Sequence, residues 1–320
     1  MHDDSIKKRE ILSIVVPCFN EEDTLKQSHP RLLSVINYLL KNEKISDKSF
    51  ILYVDDGSRD STWEIIKELI CSSKNVKGLK LASNSGHQNA VIAGLMKSKD
   101  LSDMVISIDA DLQQDETVIK DFVNKYYEGY DIVFGVREDR NTDSLLKKLS
   151  AVIFYKLMKI MGSQVVFNHA DYRLVSKRVI QELANYTEVN LFLRGLFTFI
   201  GFKTTTITHK VSRRLHGSSK YSIAKMFSLA LNGITSFSII PIRIISLIGF
   251  LLFIFSIIMI CYALLQKFRG YAASGWTSTV LPIYLIGGIQ LLSLGLIGEY
   301  IGKIYMETKR RPRYIIEEDL

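Results

Sequence analysis

Asp109 and Asp111 stand one residue apart at the end of an apolar run, MVISID at 104–109. Alternate side chains of an extended chain point the same way, so both carboxylates can face one ligand. Hard oxygen donors at that spacing suit Mg²⁺ or Mn²⁺, which would also touch the phosphates of a substrate. A D-x-D taken alone also fits a turn or a helix cap. Its place at the end of this run favours the cation site.

Four other short apolar or alternating runs, at 11–16, 50–55, 76–82 and 130–135, end in similar chemistry. Pro17, Cys18, Phe19, Asn20, Glu21 and Glu22 follow the first; Asp55, Asp56, Gly57, Ser58 and Asp60 close the second. Asn84, Gly86, His87, Gln88 and Asn89 follow the third, and Gly135, Arg137 and Arg140 follow the last. Glu22 and Asp60 also read as helix caps. His87 reads equally as a helix N-terminal residue or as a ligand of the site, and His169 and His209 read as structural.

Segments of helical length and period, 21–41, 61–71, 87–97 and 116–128, separate these runs. Strand–helix alternation with nearly continuous apolar strands predicts a parallel, doubly wound sheet. Ligands of such sheets bind off the carboxyl ends of the strands, where these carboxylates, amides and arginines gather. No G-x-G-x-x-G follows the first strand and no G-x-x-x-x-G-K-[ST] occurs, which argues against a dinucleotide-dependent dehydrogenase and a P-loop phosphotransferase.

The chain has 320 residues, 47% of them apolar and 23% charged, with a net charge of +8. This composition excludes a disordered, a collagen-like and a polytopic transporter chain. Three cysteines, Cys18, Cys71 and Cys261, are too few and scattered for a disulfide framework or zinc site, and read as buried small apolar residues. The first ten residues have no apolar core, so no cleavable signal is expected. From Arg137 to Arg243 there are 17 Lys and Arg against 6 Asp and Glu. That basic middle asks for an anionic partner.

Residues 244–265 and 276–298 carry no charge. Twenty-two helical residues span about 33 Å, enough for a hydrocarbon core of roughly 30 Å. Transmembrane helices are therefore favoured over buried core helices, and the short link at 266–275 makes a hairpin. Basic residues crowd the flanks, notably Lys303, Lys309, Arg310, Arg311 and Arg313. By the positive-inside rule both termini and the large N-terminal domain are cytoplasmic, with two spans through the plasma membrane. Segments 144–161 and 221–240 interleave apolar and basic residues and read as helices in the membrane interface, or as surface helices on their own domain. The expected organisation is a catalytic domain at 1–220, a juxtamembrane amphipathic helix at 221–241, a hairpin at 242–299 and a basic tail at 300–320. Gly298 and Gly302 form a G-x-x-x-G suited to helix packing or an oligomer contact.

The stretches VVPCFNEE, VDDGSRDST, ASNSGHQNAVIAGL, IDADLQQ, FGVREDR, ADYRLVSKR, RRLHGSSKYS and LGLIGEYIGKIYMETKRRPRY run in this order through nearly the whole chain. Together the set resembles the family 2 glycosyltransferases of GT-A fold, in the branch that acts on polyprenyl phosphates. The resemblance implies an α/β Rossmann-like GT-A domain with interfacial helices and a C-terminal two-helix transmembrane hairpin. It implies inverting transfer of one sugar, glucose or N-acetylglucosamine, from a UDP-sugar to undecaprenyl phosphate. Pro17, Asn20, Glu21, Asp55 and Asp56 match nucleoside-binding positions; Gly86, His87 and Gln88 match a donor-side loop. Asp109, Ala110, Asp111 and Gln113 match the metal and diphosphate site, with Mg²⁺ or Mn²⁺ held by Asp109 and Asp111. Arg137 and Arg140, and the loop residues Arg213, Arg214, His216, Ser219 and Lys220, match phosphate-binding positions. Asp171 and Arg173 match the acceptor motif, in which the aspartate is the proposed base and Tyr172 replaces the usual phenylalanine; the resemblance makes Asp171, Asp111 and Arg173 the catalytic residues, with Asp171 as an orienting residue or auxiliary base. The Q-x-x-R-W of processive synthases is absent, which favours a single transfer.

The implied partners are the UDP-sugar, polyprenyl phosphate, the bilayer, a flippase and further copies of the chain as a tetramer, with no nucleic acid. Two other readings stand beside this one: a glycosyltransferase with a non-polyprenyl acceptor, and a catalytically inactive membrane scaffold.

Overall fold

The computed structural model describes residues 9–138, 169–188, 193–210 and 276–320, with isolated helical positions between 242 and 265. The segment 144–161, the segment 221–241 expected as a helix, ten residues of the 244–265 run, Arg140, Arg213, Arg214, His216, Ser219, Lys220 and Cys261 lie outside the described residues.

The chain runs through β1 (Leu12–Cys18), α1 (Glu22–Lys41), β2 (Phe50–Asp55), α2 (Thr62–Ser72), β3 (Val76–Leu81) and α3 (His87–Ser98). It continues through β4 (Met104–Ser107), a 3-10 turn (Glu116–Val118), α4 (Ile119–Tyr127), β5 (Ile132–Arg137), β6 (His169–Ser176) and α5 (Lys177–Leu183). Last come α6 (Leu193–Phe199), β7 (Thr204–His209), α7 (Trp276–Lys309) and β8 (Ile316–Asp319). The sheet order is β7-β5-β6-β4-β1-β2-β3-β8.

Period-two alternation sorts the core into two layers. Leu12, Ile14 and Val16 of β1 pack with Leu25, Leu32 and Ile36 of α1 and with α2 and α4. Val15 faces the other way, toward Ala90, Ile92 and Ala93 of α3 and toward α5 and α6. Burial on both faces explains why these strands read as continuous apolar runs.

The parallel arrangement holds for β3, β2, β1 and β4. The expected fifth parallel neighbour is corrected. β6 lies between β4 and β5 and runs antiparallel to both. Its sequence, HADYRLVS, carries two charges, and Arg173 is only 1% exposed. A charge buried by pairing breaks the apolar run that marks a strand, so β6 is hidden from periodicity. The expectation for cysteine is also corrected at one position: Cys18 is buried, but Cys71, in the last turn of α2, is exposed.

The chain's last residues return to the sheet. β8 pairs antiparallel with β3, and Leu320 and Gly78 exchange backbone hydrogen bonds of 2.9 and 3.0 Å. Lys80 reaches Glu317 at 3.1 Å, Lys97 reaches Asp319 at 2.5 Å, and Trp63 Nε1 donates to Glu318 at 3.2 Å. Among the described residues one helical stretch, Leu285–Lys309 of α7, is long and apolar enough to cross a membrane. Its Leu285, Leu291, Leu294 and Ile301 side chains are exposed.

Candidate active site

Three loops at the carboxyl edge of the parallel strands are stitched into one surface. Asn20 adopts a positive φ of 53° and binds across to the second loop: its amide donates to Ser58 Oγ at 2.9 Å, and its Oδ1 accepts from the Arg59 amide at 2.9 Å. The Glu21 amide donates to Thr62 Oγ1 at 2.8 Å. Glu22 accepts from the Ser61 amide at 3.0 Å, and Asp60 accepts from the Glu22 amide at 3.3 Å. Glu22 and Asp60 thus join loop to loop, and Asp60 also accepts from the Thr62 amide at the start of its own helix at 3.1 Å. Pro17 lies within β1, paired with Val54.

Asp55 is fully buried at the end of β2 and accepts from the Ser58 amide at 3.3 Å. Burial pushes its carboxyl above the ordinary range, against the lowering effect of Ser58. Asp56 accepts from the amides of Ser85 at 2.7 Å and Gly86 at 3.0 Å, which ties down the third loop. Its carboxyl is also raised by burial. Between these loops Gly57 takes φ +68°, and a Cβ there would meet the Ser83 carbonyl carbon at 2.6 Å. Only glycine fits that crossing.

Gly86 lifts the chain into α3 with φ 91°, and His87 opens the helix. Gln88 Oε1 accepts from the Leu193 amide at 3.1 Å, which ties α3 to the start of α6.

His87 stands between the two carboxylates singled out on separate strands. Its Nε2 is 3.6 Å from Asp109 Oδ1 and 3.8 Å from Asp171 Oδ2. Strand register brings the pair together: Ser107 of β4 lies opposite Arg173 of β6, and Ser107 Oγ donates to the Asp171 carbonyl at 2.8 Å. Each carboxylate is tied on its other oxygen by a buried donor. Arg173 Nη2 donates to Asp171 Oδ1 at 2.5 Å, while its guanidinium lies 4.8 Å from the centre of the Phe197 ring. Gln114 Nε2 donates to Asp109 Oδ2 at 2.5 Å. Gln114 is a site residue that sequence reasoning missed, because its neighbour Gln113 matches the motif. In the structure the Gln113 amide donates to Asp111 Oδ1 at 3.2 Å, and Ala110 is buried. Arg137 closes β5 opposite His209 of β7; burial lowers the pKa of His209, and the Arg137 charge adds to that.

The profile of glycosyl transferase family 2 matches residues 13–184, which hold all of these loops and both carboxylates. The chain belongs to that family. The glycosyltransferase YkoT of Bacillus subtilis (strain 168) is 49% identical over 310 residues, covering 97% of this chain and 92% of its own. A protein of Escherichia coli (strain K12) called prophage bactoprenol glucosyl transferase homolog is 38% identical, covering 96% of this chain and 98% of its own. Among solved structures, glucosyl-3-phosphoglycerate synthase from Mycobacterium tuberculosis, in complex with Mn²⁺, UDP-glucose and phosphoglyceric acid, aligns with a TM-score of 0.46. It is 16% identical, covering 71% of this chain and 78% of that one.

The α/β domain of this family 2 glycosyltransferase is the expected Rossmann-like GT-A fold. Asp109 and Asp111 lie beyond the end of β4, where the Leu112 amide donates to the Asp109 carbonyl at 3.2 Å, so a turn holds them and not the extended chain expected from sequence. Among the described residues no group of three or more His, Cys, Asp or Glu is placed to hold a metal. A site offering one or two carboxylates, with the remaining positions left to substrate phosphates and water, is what Mg²⁺ takes and a protein-enclosed metal does not.

Proposed function

We propose that this glycosyltransferase moves one sugar, glucose or N-acetylglucosamine, from a UDP-sugar to polyprenyl phosphate at the cytoplasmic face of the bacterial membrane. The observation that carries this reading is the approach of Asp109 and Asp171 to one imidazole. It brings the carboxylate read as donor-side and the one read as acceptor-side within 4 Å of the same ring nitrogen. The bactoprenol glucosyl transferase name of a near full-length relative supports the lipid acceptor.

In this reading Asn20, Glu21, Asp55 and Asp56 frame the nucleoside, and Gly86, His87 and Gln88 form the donor-side wall. Asp109 and Asp111 would hold Mg²⁺ or Mn²⁺, which stabilises the charge of the departing diphosphate as a Lewis acid. The acceptor phosphate, with a second pKa near 6, is largely dianionic at neutral pH and already nucleophilic. Its oxygen attacks the anomeric carbon as the bond to UDP breaks on the opposite face, so the configuration inverts. Asp171 therefore orients the acceptor rather than removing an obligatory proton. Arg173 is too buried to touch substrate and holds Asp171 in place. Arg137, Arg140, Arg213, Arg214, His216, Ser219 and Lys220 supply positive charge to the phosphates.

The fold bears on the membrane arrangement as well. β7 and β8 belong to one sheet, so the chain between them crosses a bilayer an even number of times. With α7 as one crossing, the uncharged run at 244–265 is the proposed second.

The test is transfer of radiolabelled sugar into organic-extractable lipid by the purified full-length protein. Undecaprenyl phosphate, Mg²⁺ and UDP-glucose or UDP-N-acetylglucosamine are supplied in parallel, with and without EDTA. Label from one donor, abolished by EDTA, is the expected result. Absence of label from every nucleotide sugar, with UDP binding intact, would overturn the lipid-phosphate acceptor.

A further inference from the structure

We infer that Gln114 is a positioning residue that makes Asp109 a one-oxygen ligand, and so sets the affinity of the site for its divalent cation. The inference rests on the reading of Asp109 and Asp111 as the cation site.

Gln114 is 3% exposed, too deep to touch a substrate. Its Nε2 lies 2.5 Å from Asp109 Oδ2. An amide oxygen in that place would face a carboxylate, so the nitrogen is the atom that must point there. Asp109 Oδ2 is thereby engaged, and Oδ1 faces the open side near His87. A carboxylate that offers one oxygen suits a small octahedral cation whose other positions go to diphosphate oxygens and water.

The chain on the C-terminal side of Gln114 is anchored twice. The Tyr172 hydroxyl donates to the Asp115 carbonyl at 3.1 Å. Glu116, itself buried, takes two bonds from Arg31 of α1 at 2.8 and 2.6 Å. Among the described residues Gln114 Oε1 is buried with no hydrogen-bond partner. A polar side chain kept in the interior with half its capacity unused is costly, which fits retention for the one bond it makes to Asp109. Groups that hold a metal's ligand in this way are worth 10–100-fold in metal affinity.

The test is direct titration of Mn²⁺ into purified full-length protein with saturating UDP, read as loss of the free Mn²⁺ electron paramagnetic resonance signal. Gln114→Met keeps the volume and removes the donor. Gln114→Asn keeps the amide but withdraws it by one methylene, and serves if the methionine variant does not fold. The expected result is a roughly 10–100-fold weaker Mn²⁺ dissociation constant in a folded variant. In turnover assays the half-saturating Mn²⁺ concentration should rise by a similar factor, with kcat largely recovered at saturation. A folded variant that binds Mn²⁺ within about threefold of the parent would overturn the role of Gln114. Failure of the parent itself to bind Mn²⁺ with UDP present would instead overturn the cation site, and the role of Gln114 with it.

Discussion

Asp55 and Asp56 are adjacent, yet their carboxylates serve different contacts. Asp55 is sealed at the end of its strand, whereas Asp56 reaches sideways to the amides that begin the α3 approach. The raised carboxyl of Asp55 has a stability consequence with a definite sign. Between the unfolded carboxylate pKa and the raised folded one, the folded state binds more protons, so stability falls as pH rises through that window. Asp55→Asn keeps an oxygen for Ser58 and removes the titration. Chemical unfolding from pH 3.5 to 7 should give a difference, parent minus variant, that becomes steadily less favourable to the parent as pH rises. A flat difference would mean that burial does not penalise the Asp55 charge. Asp55, Asp56 and Asp109 were legible from sequence because each follows an apolar run, whereas Asp171, inside β6, was found only through the resemblance carried by ADYRLVSKR. Gln114 was not: nothing in the one-dimensional order of Gln113 and Gln114 says which side chain turns inward.

At the scale of elements, α3 must lie close on β1 for His87 to reach both carboxylates, and Gly94 sets that approach. A Cβ at Gly94 would meet Val15 Cγ1 at 2.3 Å and Val54 Cγ2 at 3.0 Å, both on fully buried strands. Alanine improves helix propensity by about 1 kcal/mol over glycine. Overpacking a rigid core costs about 1–3 kcal/mol and wins here, because the β-branched neighbours have little freedom to turn away. Gly94→Ala should lower stability by about 1–2 kcal/mol, read as a lower urea midpoint with unchanged slope. An equal or raised midpoint would show that α3 can shift outward freely. The four parallel strands and their helices were legible because each is apolar and locally complete. β6 and β8 were not, since a strand bearing a buried Arg173 or composed of Ile-Glu-Glu-Asp is defined by what it meets: β4, β5 and Phe197 in one case, Lys80, Lys97 and Trp63 in the other.

For the whole molecule, β8 ties the far end of α7 to the sheet that carries the active site. The link continues beyond the strand: Arg313 donates to the Tyr186 carbonyl, and Tyr314 packs among the residues beneath α3, α5 and α6. Glu188, two residues after Tyr186, has its carboxyl raised by burial and by Glu307, with Arg313 opposing. The long apolar helix α7 is thus fastened beside the domain, so that in the proposed membrane arrangement the active site would stay close to the headgroups. The same fastening makes orientation testable. Cys71 on α2 is exposed, and Leu320 follows β8 on the neighbouring edge of the sheet. One protein keeps only Cys71; a second lacks native cysteines and carries Leu320→Cys. A membrane-impermeant maleimide should label both in inside-out vesicles and neither in intact cells, given the basic residues at Lys309, Arg310, Arg311 and Arg313. Labelling of the two positions from opposite faces would mean that β8 leaves β3 in the membrane and that the number of crossings between β7 and β8 is odd. A protein so arranged could not hold its sheet together and cross with α7 in a hairpin.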